Sequence, residues 1–154
     1  MIKLRPLFAA LLRDTRGAML IETAIVAPVI VLMSLGTYQV SGMVARQSEL
    51  QSAAAEASAI ALAVAPDTQA KRSTVKQVIM ASTGLSQFNV AVAPTYRCGT
   101  SSTFQASSVC ASGAKSEYVQ ISLTDTYTPL WTEFGVGSAI SYNVVRYVMI
   151  QQVD

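Results

Sequence analysis

Arg16-Gly17-Ala18-Met19-Leu20-Ile21-Glu22-Thr23-Ala24 opens an apolar run that continues through Pro28 to Ala45. Between Gly17 and Ala45, Glu22 is the only Asp, Glu, Lys or Arg. About 20 consecutive apolar residues suffice to cross a hydrocarbon core, so residues 18–45 are long enough to span a bilayer. A carboxylate that reaches the bilayer centre costs roughly 2.5–3.5 kcal/mol on insertion scales, which makes Glu22 a functional candidate from the outset.

Working outward, residues 1–17 are too polar to join the span. They hold four basic residues (Lys3, Arg5, Arg13, Arg16) against Asp14, a local charge of +3 in a chain whose total is +2. Positive flanks stay cytoplasmic, so the N-terminus is expected inside and residues 46–154 outside. Half of the chain is hydrophobic and 13% is charged, about half the usual share for a soluble domain. That bias is local to the apolar run. Residues 46–154 form an ordinary Ser/Thr/Ala-rich sequence with room for one modest domain.

A short basic leader, a Gly, four intervening residues and then Glu inside a hydrophobic helix resemble the prepilin signal of type IV pilin-like proteins. Arg16-Gly17-Ala18, then Glu22-Thr23-Ala24 and a Pro-containing apolar helix, are most similar to the TadE/TadG-like family of tight-adherence pilus assembly. The resemblance is specific over residues 16–45. It implies cleavage between Gly17 and Ala18 by a membrane-embedded prepilin peptidase. It also implies that Glu22, fifth residue of the mature chain, recruits the subunit to other pilins or pseudopilins and the assembly platform. The implied setting is the bacterial inner membrane, with a periplasmic head that becomes extracellular in a pilus. The long helix and sizeable head favour a minor pseudopilin over a repeating subunit. A plainer reading of Glu22 is an anion in the first helical turn, favoured by the helix dipole; it leaves the Gly upstream unexplained. Two alternatives stay open: an uncleaved single-span protein with a periplasmic scaffold or binding domain, and a secreted protein. A secretory signal has an h-region of 7–15 residues, shorter than this run.

Small residues (Ser34, Gly36, Ser41, Gly42) give the span a face on which helices can approach closely in lipid, although Gly is common in membrane helices anyway. Pro28 should kink this helix or leave a carbonyl unpaired, which membrane helices tolerate. Past Met43, Leu50, Ala53, Ala54, Ala57, Ile60, Ala61 and Val64 recur at helical spacing, with Arg46, Glu49 and Glu56 elsewhere on the surface. One helix over 18–65, roughly 70 Å long at 1.5 Å per residue, would be lipid-facing in one half and carry an Ala-rich face for a sheet in the other. Pro66 stops it, and Asp67 or Thr68 can cap a second helix over 69–82, with Val75, Val78 and Ile79 on one side and Gly84 as its stop.

The period then changes to two. Phe88, Val90 and Val92 alternate up to Pro94; Val119, Ile121 and Leu123 alternate with Tyr118, Gln120, Ser122 and Thr124. Residues 139–150 supply a third strand in which Ile140, Tyr142 and Val144 give way to Tyr147 and Met149, a phase slip near Val145 suggesting a bulge. Three such strands favour an antiparallel sheet, and with the helices they make an α+β head. The connecting segment Tyr127-Thr128-Pro129-Leu130-Trp131-Thr132-Glu133-Phe134 holds the only Trp. It reads as core filler or a lid over the sheet edge, and otherwise as a partner contact through Tyr127, Trp131 and Phe134.

Cys98 and Cys110 lie in a Gly/Ser/Thr-rich stretch on the exported side, where a disulfide is the simplest expectation. Two free thiols are the alternative; with no His in the chain, two Cys are only half a structural zinc shell. The absence of His also excludes Ser/His/Asp and Cys/His chemistry. The acids are scattered singly, without a pair for acid/base work, and Gly135-Val136-Gly137 is too short for a phosphate loop. No basic patch interleaves with aromatics. The chain reads as no enzyme, with no cofactor, no metal, no nucleic acid and no small-molecule substrate.

Overall fold

The structure is a computed structural model that describes residues 15–111 and 113–153, with side chains from Met19 to Gln152. The first fourteen residues of the expected leader lie outside the described residues. Two compact units meet at the Gly42/Met43 boundary.

Helix α1 (Thr15–Val64) contains Pro28 and runs through the expected span into the Ala-rich stretch. In its first part the large apolar side chains point out all round: Ile25, Val29, Leu32 and Met33 are exposed. Three of the hydroxyls there are satisfied by the helix itself. Thr23, Ser34 and Thr37 each donate to the carbonyl four residues back, at 2.8, 2.8 and 2.9 Å, so none presents an unpaired polar group to an apolar surrounding.

Beyond Met43 the pattern inverts. Leu50, Ala54, Ala57 and Ala61 are buried, spaced at i, i+4, i+7 and i+11, and join the head's core with Val119, Ile121 and Leu123. Ala on this stripe keeps the helix surface low, so sheet side chains close over it. Helix α1 ends as expected before Pro66, a residue that biases its predecessor away from helical geometry; Ala65 sits at φ 45°. Basic side chains of the next helix bond the linker carbonyls: Lys71 Nζ donates to Ala65 O and Arg72 Nη1 to Asp67 O.

Helix α2 (Gln69–Thr83) starts at Thr68, whose side-chain oxygen accepts from Lys71 N, and stops at Gly84, left-handed at φ 67°. Val75 and Ile79 are buried as expected, whereas Val78 is 41% exposed. The helix packs on strand β1 (Val90–Cys98). The central strand is β2 (Lys115–Tyr127), flanked by β3 (Ile140–Val153), giving an antiparallel sheet of order β1-β2-β3. The architecture is the α+β head expected from the sequence.

Three details differ from expectation. Phe88 precedes β1 and is 87% exposed, while β1 runs past Pro94 to Cys98; an edge strand tolerates a proline. The register irregularity lies opposite Glu117/Tyr118, where Tyr118 pairs with Met149 and Glu117 with Gln151. Ile150 is thus the extra residue, and no bulge occurs near Val145. The apparent slip arises because Arg146 takes an inward register position opposite Ile121. A charge at such a position on an edge strand masks the alternation and discourages edge pairing. Finally, of the segment Tyr127–Phe134 only its start fills the core, through buried Pro129 and half-buried Tyr127; Leu130–Phe134 form a short 3-10 helix with no buried residue.

Candidate functional site

Glu22 sits on α1 with Met19, Thr23, Val26, Ala27 and Ile30, the described lining of a shallow recess along one helical stripe. The set follows i, i+3, i+4, i+7, i+8 spacing, one face of a helix. Glu22 is exposed and makes no ion pair among the described residues. Gly17 and Ala18 are already helical. Ala18 lies four residues before Glu22, so the two share that face one turn apart. An amino group created at Ala18 would therefore stand within a turn of this carboxylate. Among the described residues, Glu22 is the one carboxylate of this apolar stretch.

The head carries separate features. Cys98 and Cys110 are bridged, with Cα atoms 5.5 Å apart. The enclosed loop is tied down by Gln105, whose side-chain amide donates to the carbonyls of Ser107 and Val109 at 3.1 and 3.2 Å. Arg97 adds two bonds to Ser101 O. Phe104, from the same loop, stacks on Tyr147 with centroids 4.0 Å apart and meets Tyr118 edge-on at 5.1 Å. The loop thus lies on the sheet face opposite the core stripe.

At the other end of the sheet, Arg46 Nε donates to Asp125 Oδ2 at 2.6 Å, and its Nη1 reaches Glu49 at 2.8 Å. Tyr142, across from Asp125 in the register, donates its hydroxyl hydrogen to Met43 O at 3.1 Å. Burial pushes the Tyr142 hydroxyl above the ordinary phenol range, with smaller contributions from Tyr127 and Asp125. These contacts tie the first residues of the head's helix to the strand ends around the β2–β3 connection.

The sequence-expected site residues therefore fall in three places. Gly17 and Ala18 lie about one turn before Glu22 on α1; the Cys98–Cys110 bridge closes the far loop; Tyr127 ends β2, and Trp131 and Phe134 belong to the β2–β3 connection. Tyr127 and Trp131 are half-buried and Phe134 is 81% exposed. The Arg46–Asp125 pair and the Phe104 cluster were not foreseen. Arg46 had one available signal, as the first charge after the apolar run. Phe104 had none. Among the described residues no three His, Cys, Asp or Glu side chains gather as metal ligands.

Residues 17–59 match the family model described as TadE-like protein. The matched stretch begins at the Gly of the expected processing site and extends past the apolar half of α1 to include Leu50, Ala54 and Ala57 of the buried stripe. No curated protein and no solved structure matches the chain.

Proposed function

We propose that this chain, whose residues 17–59 match the TadE-like family model, is a minor pseudopilin-like subunit of a tight-adherence pilus system, held in the inner membrane by the first half of α1. In this reading a prepilin peptidase cuts after Gly17, the head lies in the periplasm, and Glu22 brings the mature subunit to its neighbours. The observation that carries it is the coincidence of the family match with a carboxylate that has no ion pair among the described residues, on the exposed apolar stretch 19–42.

The energetics support recruitment. An ion pair about 4 Å apart is worth roughly 4 kcal/mol at an effective dielectric near 20. That is comparable to the roughly 2.5–3.5 kcal/mol cost of a carboxylate in the bilayer. Glu22 is thus disfavoured in lipid alone and compensated on meeting an ammonium, either its own chain's new N-terminus or a neighbour's. Assembly and the new amine are coupled by this charge.

Glu22→Gln tests the role. Insertion, cleavage and head folding should persist, while co-purification of the cleaved subunit with pilus components, and surface piliation, should be lost. Glu22→Ala should behave alike. Normal co-purification and piliation in both variants would leave Glu22 with only a helix-dipole role, as an uncleaved single-span anchor predicts.

A further inference from the structure

The two ends of the sheet differ in what they expose. At one end β1 begins, with Val90 opposite Leu123; β2 ends and β3 begins, with Tyr127 opposite Ile140. The turn before β1 is bound to this same end through Thr124 N, which donates to Asn89 O at 2.8 Å. From two connections far apart in sequence, Phe88, Leu130, Phe134 and Val136 emerge here 87%, 51%, 81% and 61% exposed. Among residues 84–89 and 128–139 the only formal charge is Glu133. At the other end, residues 99–111 expose Ser, Thr and Gly, and Val109 is the one exposed large apolar side chain among the described residues there.

The apolar end is also the end tied to Met43 and Arg46, through Tyr142 and Asp125. Those are the residues at which the apolar run of the sequence gives out. The β2–β3 connection is held in shape rather than left loose. Pro129 is fully buried, Thr132 Oγ1 donates to Pro129 O at 2.7 Å, and Val136 N donates to Trp131 O at 3.1 Å. Gly137, at φ 73°, lies against Trp131; a Cβ there would come within 3.3 Å of the indole nitrogen. The fold thus props Leu130, Phe134 and Val136 outward on a Trp-bearing base.

We propose that this end of the head rests on the bilayer, with Phe88, Leu130, Phe134 and Val136 immersed among the lipid headgroups and upper acyl chains and Trp131 at their level. The proposal rests on the membrane-anchored reading of α1. Aromatic and apolar side chains on an uncharged loop suit the water–lipid boundary, and exposed apolar clusters on a soluble surface are otherwise uncommon. The partner is lipid rather than protein because the patch emerges at the same end of the sheet as Met43 and Arg46, where the apolar run of the sequence ends. Seating the head in this way restrains its tilt while the subunit awaits assembly.

Trp131, the chain's single tryptophan, is the probe. The full chain is reconstituted in phosphatidylcholine vesicles carrying bromine at shallow or deep acyl positions. Shallow bromines should quench Trp131 strongly and deep ones weakly, with blue-shifted emission. Phe134→Asp should reverse the shift and relieve the quenching. Phe88→Asp, outside the Trp-bearing loop, should relieve it partly. Both side chains lie outside the core, so head melting and protection of Cys98 and Cys110 from alkylation should be unchanged. Emission indifferent to bromine would overturn the proposal, as would quenching that neither variant relieves. So would a blue shift that appears only when pilus-assembly proteins are added, which would make the patch a protein interface. No pilus component is needed for the vesicle measurement, so its failure and the failure of Glu22 recruitment are separately visible.

Discussion

The two halves of α1 share one secondary structure and opposite surfaces. Over residues 19–42 the large side chains face outward, as Ile25, Val29 and Leu32 do; from Met43 to Val64 the buried stripe is mostly alanine and the charged Arg46, Glu49 and Glu56 sit elsewhere. Hydrophobicity alone is thus a poor guide to what lies inside. The bulkiest apolar side chains of the described residues stand exposed in the first half, while three alanines and one leucine of the second half carry the helix–sheet contact. Bulk outward suits a surrounding of lipid chains, whereas small residues inward suit a sheet that must come close.

Paired substitutions break this comparison most severely. Leu50→Ala removes a fully buried side chain and should lower head stability by about 2–5 kcal/mol, read as a fall in the melting temperature of the detergent-solubilised protein. Leu32→Ala, at 67% exposure, should leave that melt unchanged. Equal losses from both would mean that the first half also packs as core.

A smaller effect is expected at the boundary. Arg46→Met leaves Asp125, at 18% side-chain exposure, without its cation and should cost about 2 kcal/mol, in the range for hydrogen bonds to charged groups. Asp125→Asn in the Arg46→Met background should recover part of the loss. No recovery would mean that the guanidinium acts by packing rather than by charge.

Tyr142 gives the finest test. Its hydroxyl titrates above the ordinary phenol value because burial favours the neutral form. Its contribution is therefore complete below about pH 10, the unfolded value, and is lost as pH rises through the folded value. Tyr142→Phe should cost about 1 kcal/mol at neutral pH and flatten the alkaline decline of head stability. A decline of unchanged steepness would assign it to other groups.

Local patterns made much of this legible. The helical apolar length, the alanine stripe, Pro66, Thr68 and Gly84 each act through their own turn of chain, and each lies where its chemistry placed it. The Val119, Ile121, Leu123 alternation likewise marked a strand, because one face of it is buried against the core; that it is the central one follows only from the pairing. Edge strands were harder. Arg146 in an inward register position broke the alternation of β3 and displaced the expected bulge from Ile150 to Val145. The apolar end of the head was hidden for another reason: Phe88 and Phe134 look like core residues in sequence, and only the register shows that both emerge at the end tied to Met43. Arg46 and Asp125 are 79 residues apart, a pairing that no local pattern encodes.

The central claim is that Gly17-Ala18 is a processing junction at the head of a membrane helix whose second half belongs to the pilin-like head. The N-terminal residue of the membrane-extracted protein tests it most directly. The account predicts Ala18, with full-length protein accumulating in the membrane for Gly17→Leu. A mature chain that still starts at Met1 or Ile2, or one that starts after about residue 45, would contradict it.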